Sequence, residues 1–463
     1  VSSRRAFGFL QIAENERMTG HRHYTTADLL AYLDENEDLV NVAEAAAAIA
    51  SCTTCAARLR ELQGFGRLIA DREIWRELHV PSGQPPSIMD VLTEADRMAR
   101  EKRAAEYDFA ALIATPLETW PLYLADHQSA PTEAFVRRIV DAAIAEFDRQ
   151  PAYSLSLLDA ADSVAGRVAD QNGQVECRSE VWKNRANALR MLGRYEEALS
   201  ATAMAEGFAD EIATGGFILA QIIYTRGTVL FKMGRFAETI QTARAASQRF
   251  AEYGDVKHVI HARNLEAMAL MEQGDTAEGL RVYLLIAQQL RQLDDPQMFA
   301  RVTKNIAVSH RRLGNYDEAR IYATTAQDLY RQLGADAETI RAEWTLGAID
   351  LLVGETATGL TRLRGAAAEF EAHGMLADAG FVKLALTEEL LRLQEWDEAG
   401  VMAGQAAEAF ARSGAKLHLS TALSFLREAV QGRSATPELV RYVREYVTAD
   451  EEGRNFEPPS QVQ

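Results

Sequence analysis

"LGRYEEAL" (residues 192–199), "MGRFAETI" (233–240), "QGDTAEGL" (273–280), "LGNYDEAR" (313–320), "VGETATGL" (353–360) and "LQEWDEAG" (393–400) are versions of one phrase, and their spacing decides the fold. The turn residues Gly193, Gly234, Gly274, Gly314, Gly354 and Gln394 follow one another at intervals of 41, 40, 40, 40 and 40. A fixed period of this size marks a repeat array. A further forty residues lead to Ser434, in the break "GRSATPEL", and forty back from Gly193 lead to Tyr153, beside Pro151. The array is therefore expected over residues 131–449, with roughly eight helix pairs.

Each unit has the same physical plan. Ahead of the glycine, apolar residues recur at helical spacing, as in "VWKNRANALRML" and "RVTKNIAVSHRRL"; behind it comes a second amphipathic, alanine-rich helix. Glycine at the break supplies the left-handed cap that ends the first helix. Small residues Ala186, Gly227, Ala267, Ala307 and Gly347 stand seven before each glycine, where the helices of a pair approach closely, and Ala198 and Ala319 stand five after it. One such pair cannot bury its own apolar stripe, so the units stack into a continuous core with a concave and a convex face.

Trp182, Ala186, Gly193, Tyr195, Ala198 and Ala205 in the first clear unit, and Ala307, Gly314, Tyr316, Ala319 and Ala326 in the fourth, resemble the tetratricopeptide repeat. The period exceeds that family's usual length, and Gly279 and Gly359 replace its second-helix alanine. The resemblance implies an all-α, right-handed superhelix that binds protein or peptide in its concave groove. In that family the groove is lined at ten, nine and six residues before the turn. These positions carry Lys183, Asn184 and Asn187, then Tyr224, Thr225 and Thr228, then Asn264 and Leu265, then Lys304 and Asn305, then Trp344 and Thr345, while position thirteen adds His261, Arg301 and Arg341. Asn can donate to and accept from an extended backbone at once, and Lys or Arg can hold a carboxylate. Lys183 with Asn187 resembles half of a carboxylate clamp. The same polar stripe is also what a merely solvated groove shows.

"HYTTADLLAYLDENEDLVNVAEAAAAIASCTTCAARL", from His23, resembles the zinc-binding anti-sigma factor domain over residues 21–65, which makes a small helical zinc-finger-like module. The resemblance implies His23, Cys52 and Cys55 as metal ligands, with a fourth expected at the position that Ala48 occupies, and a sigma factor as partner. Zinc wants four donors. Three readings stand: a zinc site completed by water, His21 or a partner; a thiol switch favoured by Arg58; or a relic fold with no metal. No cofactor is expected otherwise. Residues 66–130 read as a helical connector broken by the Pro/Gly-rich stretch 79–87, residues 1–20 as a disordered leader and 450–463 as a disordered tail. Translation from Val1 or from Met18 both fit the leader.

The chain has 463 residues, with 49 Lys and Arg against 67 Asp and Glu, a net charge of −18. That balance repels phosphate backbones and anionic membranes, so neither direct nucleic-acid binding nor membrane binding is expected. Three cysteines form no disulfide framework and suit the cytoplasm. No phosphate loop or nucleophile elbow occurs, and His258 and His261 lack a Glu at metalloprotease spacing. The expected function is a bacterial, non-enzymatic regulatory scaffold, anti-sigma-like through its N-terminal module. The alternatives are a peptide-sensing helical regulator and an adaptor for a larger assembly.

Overall fold

The computed structural model describes residues 24, 28, 29, 32, 42–60, 88–126, 131–211, 216–413, 417–449, 456 and 459. The chain divides into two compact units, Val1–Pro116 and Leu117–Gln463. Among the described residues every regular element is a helix. In the first unit, α1 (Val42–Ser51) and the turns that follow it bring Ala45, Ile49 and Cys55 onto Leu29, with Tyr24, Tyr32 and Leu59 around them. The long α2 (Ile88–Ile113) buries Met98, Ala105, Phe109 and Leu112.

The second unit is a tetratricopeptide-like superhelix of antiparallel helices. After α3 (Trp120–Asp126) come α4 (Glu133–Ala145), α5 (Pro151–Ala165), α6 (Gln171–Met191), α7 (Tyr195–Asp210), α8 (Gly216–Lys232) and α9 (Phe236–Glu252). Then follow α10 (Val256–Gln273), α11 (Thr276–Leu290), α12 (Pro296–Arg312), α13 (Tyr316–Gln332), α14 (Asp336–Leu352) and α15 (Thr356–Ala372). The last are α16 (Leu376–Arg392), α17 (Trp396–Arg412), α18 (Leu417–Gln431) and α19 (Pro437–Ala449). From Phe236 to Trp396 every helix begins twenty residues after the one before it. The forty-residue unit is thus two equal halves, and Gly254, Gly334 and Gly374 mark second turns that the phrase-by-phrase reading passes over.

Most of the turns close in the same way; the one between Leu290 and Pro296 is an exception, with only the shorter bonds from Gln292 to Gln289 and Leu293 to Leu290. Gly314 takes φ +80°, and Asn315 N–H reaches back to the His310 carbonyl at 2.9 Å. The same bond recurs from Arg235 to Leu230, Asp255 to Phe250 and Glu395 to Leu390, at 3.0, 3.1 and 2.8 Å. This six-to-one closure absorbs an orphan carbonyl of the finished helix and redirects the chain. Gln394 adopts the left-handed conformation (φ +61°) without being glycine, so the turn geometry prevails over the side chain there.

Neighbouring first helices touch directly, α4 with α6, α6 with α8, α8 with α10 and α12 with α14, whereas from α5 onward no comparable backbone contact joins neighbouring second helices. The first helices therefore line the inside of the curve. Fully buried Ala186, Ala198, Ala205, Ala267, Ala307, Ala319 and Ala326 let the helices close in. Gly359, which departs from the family alanine, is explained by the same crowding: a Cβ there would lie 2.9 Å from the Gly347 carbonyl and 2.7 Å from Leu351 side-chain atoms. The final helix departs from the alternation. α19 packs on α16 and α18, with no comparable contact to α17, and so lies on the first-helix side. Phe456 then packs on Tyr446, Phe425 and Tyr442 at ring distances of 5.2, 5.5 and 5.9 Å.

Two glycines of α15 separate crowding from helix propensity. Gly359→Ala is expected to destabilise the chain by about 1–3 kcal/mol because the Cβ has no space. Gly365→Ala, where nothing lies within 4 Å of an added Cβ, should stabilise it by roughly 0.5–1 kcal/mol. Urea unfolding of both variants checks the sign; equal effects would show that the α14–α15 crossing is not tightly packed.

Candidate functional site

The concave stripe follows from helix geometry. Positions thirteen, ten and six before each turn are three and four residues apart and share one helix face, and the near-constant spacing from turn to turn keeps that face in phase from unit to unit. What the structure changes is the state of those side chains. Many of them tie one first helix to the next. Lys183 Nζ donates to Gln221 Oε1 at 3.1 Å, joining α6 to α8. Asn305 Nδ2 donates to Asn264 Oδ1 at 3.4 Å, joining α12 to α10, and its side chain also bonds Tyr283. Lys304 Nζ meets Glu338 Oε2 at 3.1 Å, joining α12 to α14. Arg341 holds Glu338 at 2.5 Å and Asp378 at 3.1 Å, carrying the chain of charges on to α16.

The positive stripe is therefore largely neutralised. Glu338 and Asp378 sit sixteen residues before their turns, one helical step beyond the positions used to define the stripe, and they oppose the cations of the preceding helix. Lys304 and Arg341 together hold the Glu338 carboxyl below its ordinary range against the opposing effect of burial. Burial pulls the Lys183 ammonium down, while Glu180 pushes it back up. Other stripe residues serve the fold. Asn184 is buried and donates to the Glu180 carbonyl at 3.0 Å, Thr228 donates to the Thr225 carbonyl at 2.7 Å, Thr225 is itself buried, and Trp344 packs on the C-terminal core cluster.

Arg301 differs from these. It is exposed on α12 and makes no hydrogen bond or ion pair among the described residues. Tyr224, His261 and Tyr330 all lie within its electrostatic reach. Burial raises the Tyr330 hydroxyl to about 12 and also raises that of Tyr224, so both stay protonated donors. Burial first, then His258, Arg301 and Lys257, keep His261 below the ordinary imidazole value, and Asp295 opposes them. Half-buried Asn187 and Tyr224 likewise have no side-chain hydrogen-bond partner among the described residues. The result is an uncommitted guanidinium beside phenol and imidazole groups, suited to a carboxylate with an apolar or aromatic neighbour.

Stepping three residues further along the stripe identifies two groups that the sequence reading missed, Arg190 on α6 and Arg311 on α12. The Nε of each is enclosed without a hydrogen-bond partner, and burial lowers the pKa of both. The stripe's last occupied position is Glu388 on α16, six before Gln394. It is buried and bound by Arg392 at 2.5 Å and by Arg441 and Arg444 of α19, both at 3.0 Å.

In the first unit Cys52 and Cys55 do come together. The Cys55 backbone N–H bonds the Cys52 sulfur and, with further bonds from the Cys55 thiol and from Thr54, holds its pKa below the ordinary thiol value; burial raises that of Cys55. His23 lies outside the described residues. Among the described residues no three metal-ligating side chains cluster, and Cys55 is enclosed by Leu29, Ala45 and Ile49. Two thiols supply two of the four donors that zinc takes, and the other candidates, His21 and His23, lie outside the described residues. No helix among the described residues is long and apolar enough to cross a membrane.

No protein-family model matches the chain. No curated protein matches it either. Among solved structures, the apo form of RapI matches with a TM-score of 0.50 at 10% identity, covering 60% of this chain and 98% of that one. The apo form of the quorum sensor NprR from B. thuringiensis matches at 0.47 and 14% identity, over 74% of this chain and 99% of its own. NprR in complex with its cognate peptide NprX matches at 0.45 and 15% identity, over 78% and 98%. The likeness to RapI is one of fold, a tetratricopeptide-like helical array; none of these comparisons supports an anti-sigma domain.

The three thiols are expected to react in a fixed order with iodoacetamide near pH 8. Cys52 leads, Cys55 follows, and buried Cys177, whose pKa is raised by enclosure and by Glu133, is slower than Cys52 by at least roughly tenfold. Peptide mapping after timed quenching reads the order, and early labelling of Cys177 would contradict the packing of α6.

Proposed function

We propose that the chain is a non-enzymatic binding scaffold whose concave face takes an extended segment of a peptide or partner protein, with a carboxylate of that segment on Arg301. The observation that carries the reading is the uncommitted state of Arg301 on a face where Lys183, Lys304 and Arg341 are already engaged. The reading rests on this geometry and not on the peptide that NprR holds. A groove built from first helices also offers a route to regulation. An acidic ligand near Lys304 competes with Glu338 for the ammonium, and that tie joins α12 to α14. Exchanging it alters the contact between consecutive units, which favours a peptide-sensing regulator over a passive adaptor.

The test starts from a displayed random-peptide library selected against the full chain. Selected peptides should be enriched in Asp, Glu or a free C-terminal carboxylate, and Arg301→Glu should weaken them about 10- to 100-fold, the range expected for one charge-assisted hydrogen bond. Arg364→Glu, altering the exposed pair that Arg364 forms with Glu398 between the second helices α15 and α17, should leave affinity unchanged. Equal binding by wild type and Arg301→Glu would refute the groove reading.

A further inference from the structure

Three residues before the turn the units carry Arg190, Phe231, Met271, Arg311, Leu351 and Leu391, so arginine occupies what is otherwise a packing position. At Arg311 the oddity is sharpest. Its Nε is fully enclosed with no hydrogen-bond partner, and the side chain makes no ion pair among the described residues. Buried guanidinium groups are normally paired, because an uncompensated charge in a protein interior is strongly destabilising. The neighbours here have the wrong sign. Arg312 and Arg444 both lie close enough to repel it.

Those neighbours are themselves committed. Arg312 donates to the Met271 carbonyl at 2.9 Å and to Glu272 at 2.8 Å, whereas Arg444 reaches Glu388 at 3.0 Å from α19. Around Glu388 stand the arginines 392, 441 and 444, with Glu389, Glu438 and Glu445 also acting on them, and none of these carboxylates pairs with Arg311. The closeness of Arg444 to Arg311 is what these carboxylates leave uncompensated. It also depends on α19 lying on the first-helix side, since that placement brings Arg444 to the concave face. Pairing with Glu388 explains Arg444 and Arg441 as parts of a cap. It leaves Arg311 unexplained.

We propose that Arg311 and Arg444 form an oxyanion-binding position at the C-terminal end of the concave face, for a carboxylate or phosphate group. A doubly acceptor anion satisfies the guanidinium fork that the protein leaves open and offsets the repulsion between the two arginines. The position goes beyond the peptide reading, because it names the group bound and not the molecule that carries it.

The experiment follows thermal unfolding of the full chain in chloride, inorganic phosphate and succinate at matched pH and ionic strength, for wild type, Arg311→Gln and Arg311→Lys. Phosphate and succinate stabilise proteins generally by exclusion from the surface, so the difference between wild type and variant is the readout. Wild type should gain on the order of 1 °C more than Arg311→Gln in at least one of the two anions. Arg311→Lys, which keeps the charge without the fork, should gain an intermediate amount and covers the case in which the Gln variant fails to fold. A gain in phosphate alone assigns the position to phosphate groups; a gain in succinate as well admits carboxylates. Identical gains in all three proteins, or none, overturn the proposal. No peptide enters the measurement, so it can succeed where the groove reading fails, and the reverse.

Discussion

The closure shared by most turns, a backbone bond from the residue after a left-handed position to the carbonyl five residues earlier, is the constraint on which the rest of the array depends. It stops the helix at a set point. From Phe236 to Trp396, helix and turn together take twenty residues each time, so the first helices of that stretch present the same register to the inside of the curve. A one-residue slip would rotate a helix by about 100° and carry its polar stripe into the stack. The face that is proposed to bind is thus a product of turn chemistry as much as of the residues on it.

Small residues provide the second condition. Gly347 and Gly359 approach so closely that a side chain at either would meet the other's carbonyl, and the alanines of the remaining units sit at full burial. Close crossings bring first helices within reach of their neighbours' long side chains. Ties such as Lys304 to Glu338 and Arg341 to Asp378 then become possible, and they use up charges that a reading of single helices leaves open.

The forty-residue period was legible because a left-handed turn favours glycine and glycine is visible in a sequence. Its division into two twenties was harder to see, since the second-turn glycines at 254, 334, 374 and 414 are followed by no repeated phrase and position 294 is Asp. The stripe at thirteen, ten and six was legible from spacing within one helix. The neutralising acids were not, because Glu338 is 34 residues from Lys304 and Asp378 is 37 from Arg341, and only the stacking sets them opposite each other. Arg190 and Arg311 could have been found by carrying the stripe one step further, where arginine interrupts a hydrophobic series. The side taken by α19 left no such signal: Arg433, at φ +55°, and the bond from Ser434 to the Ala429 carbonyl repeat the closure of the other turns, and the helix then starts only at Pro437. In the first unit the paired cysteines were legible as neighbours, but their spacing alone did not show that apolar side chains close around Cys55.

The central claim is that ligand binding belongs to the first helices. Its most direct measurement is photo-crosslinking of a library-selected peptide to the full chain, with the attachment sites mapped by mass spectrometry. Attachment within α8, α10 and α12, around Tyr224, His261 and Arg301, is the predicted result. Attachment confined to the second helices, such as α13 and α15, would contradict the account.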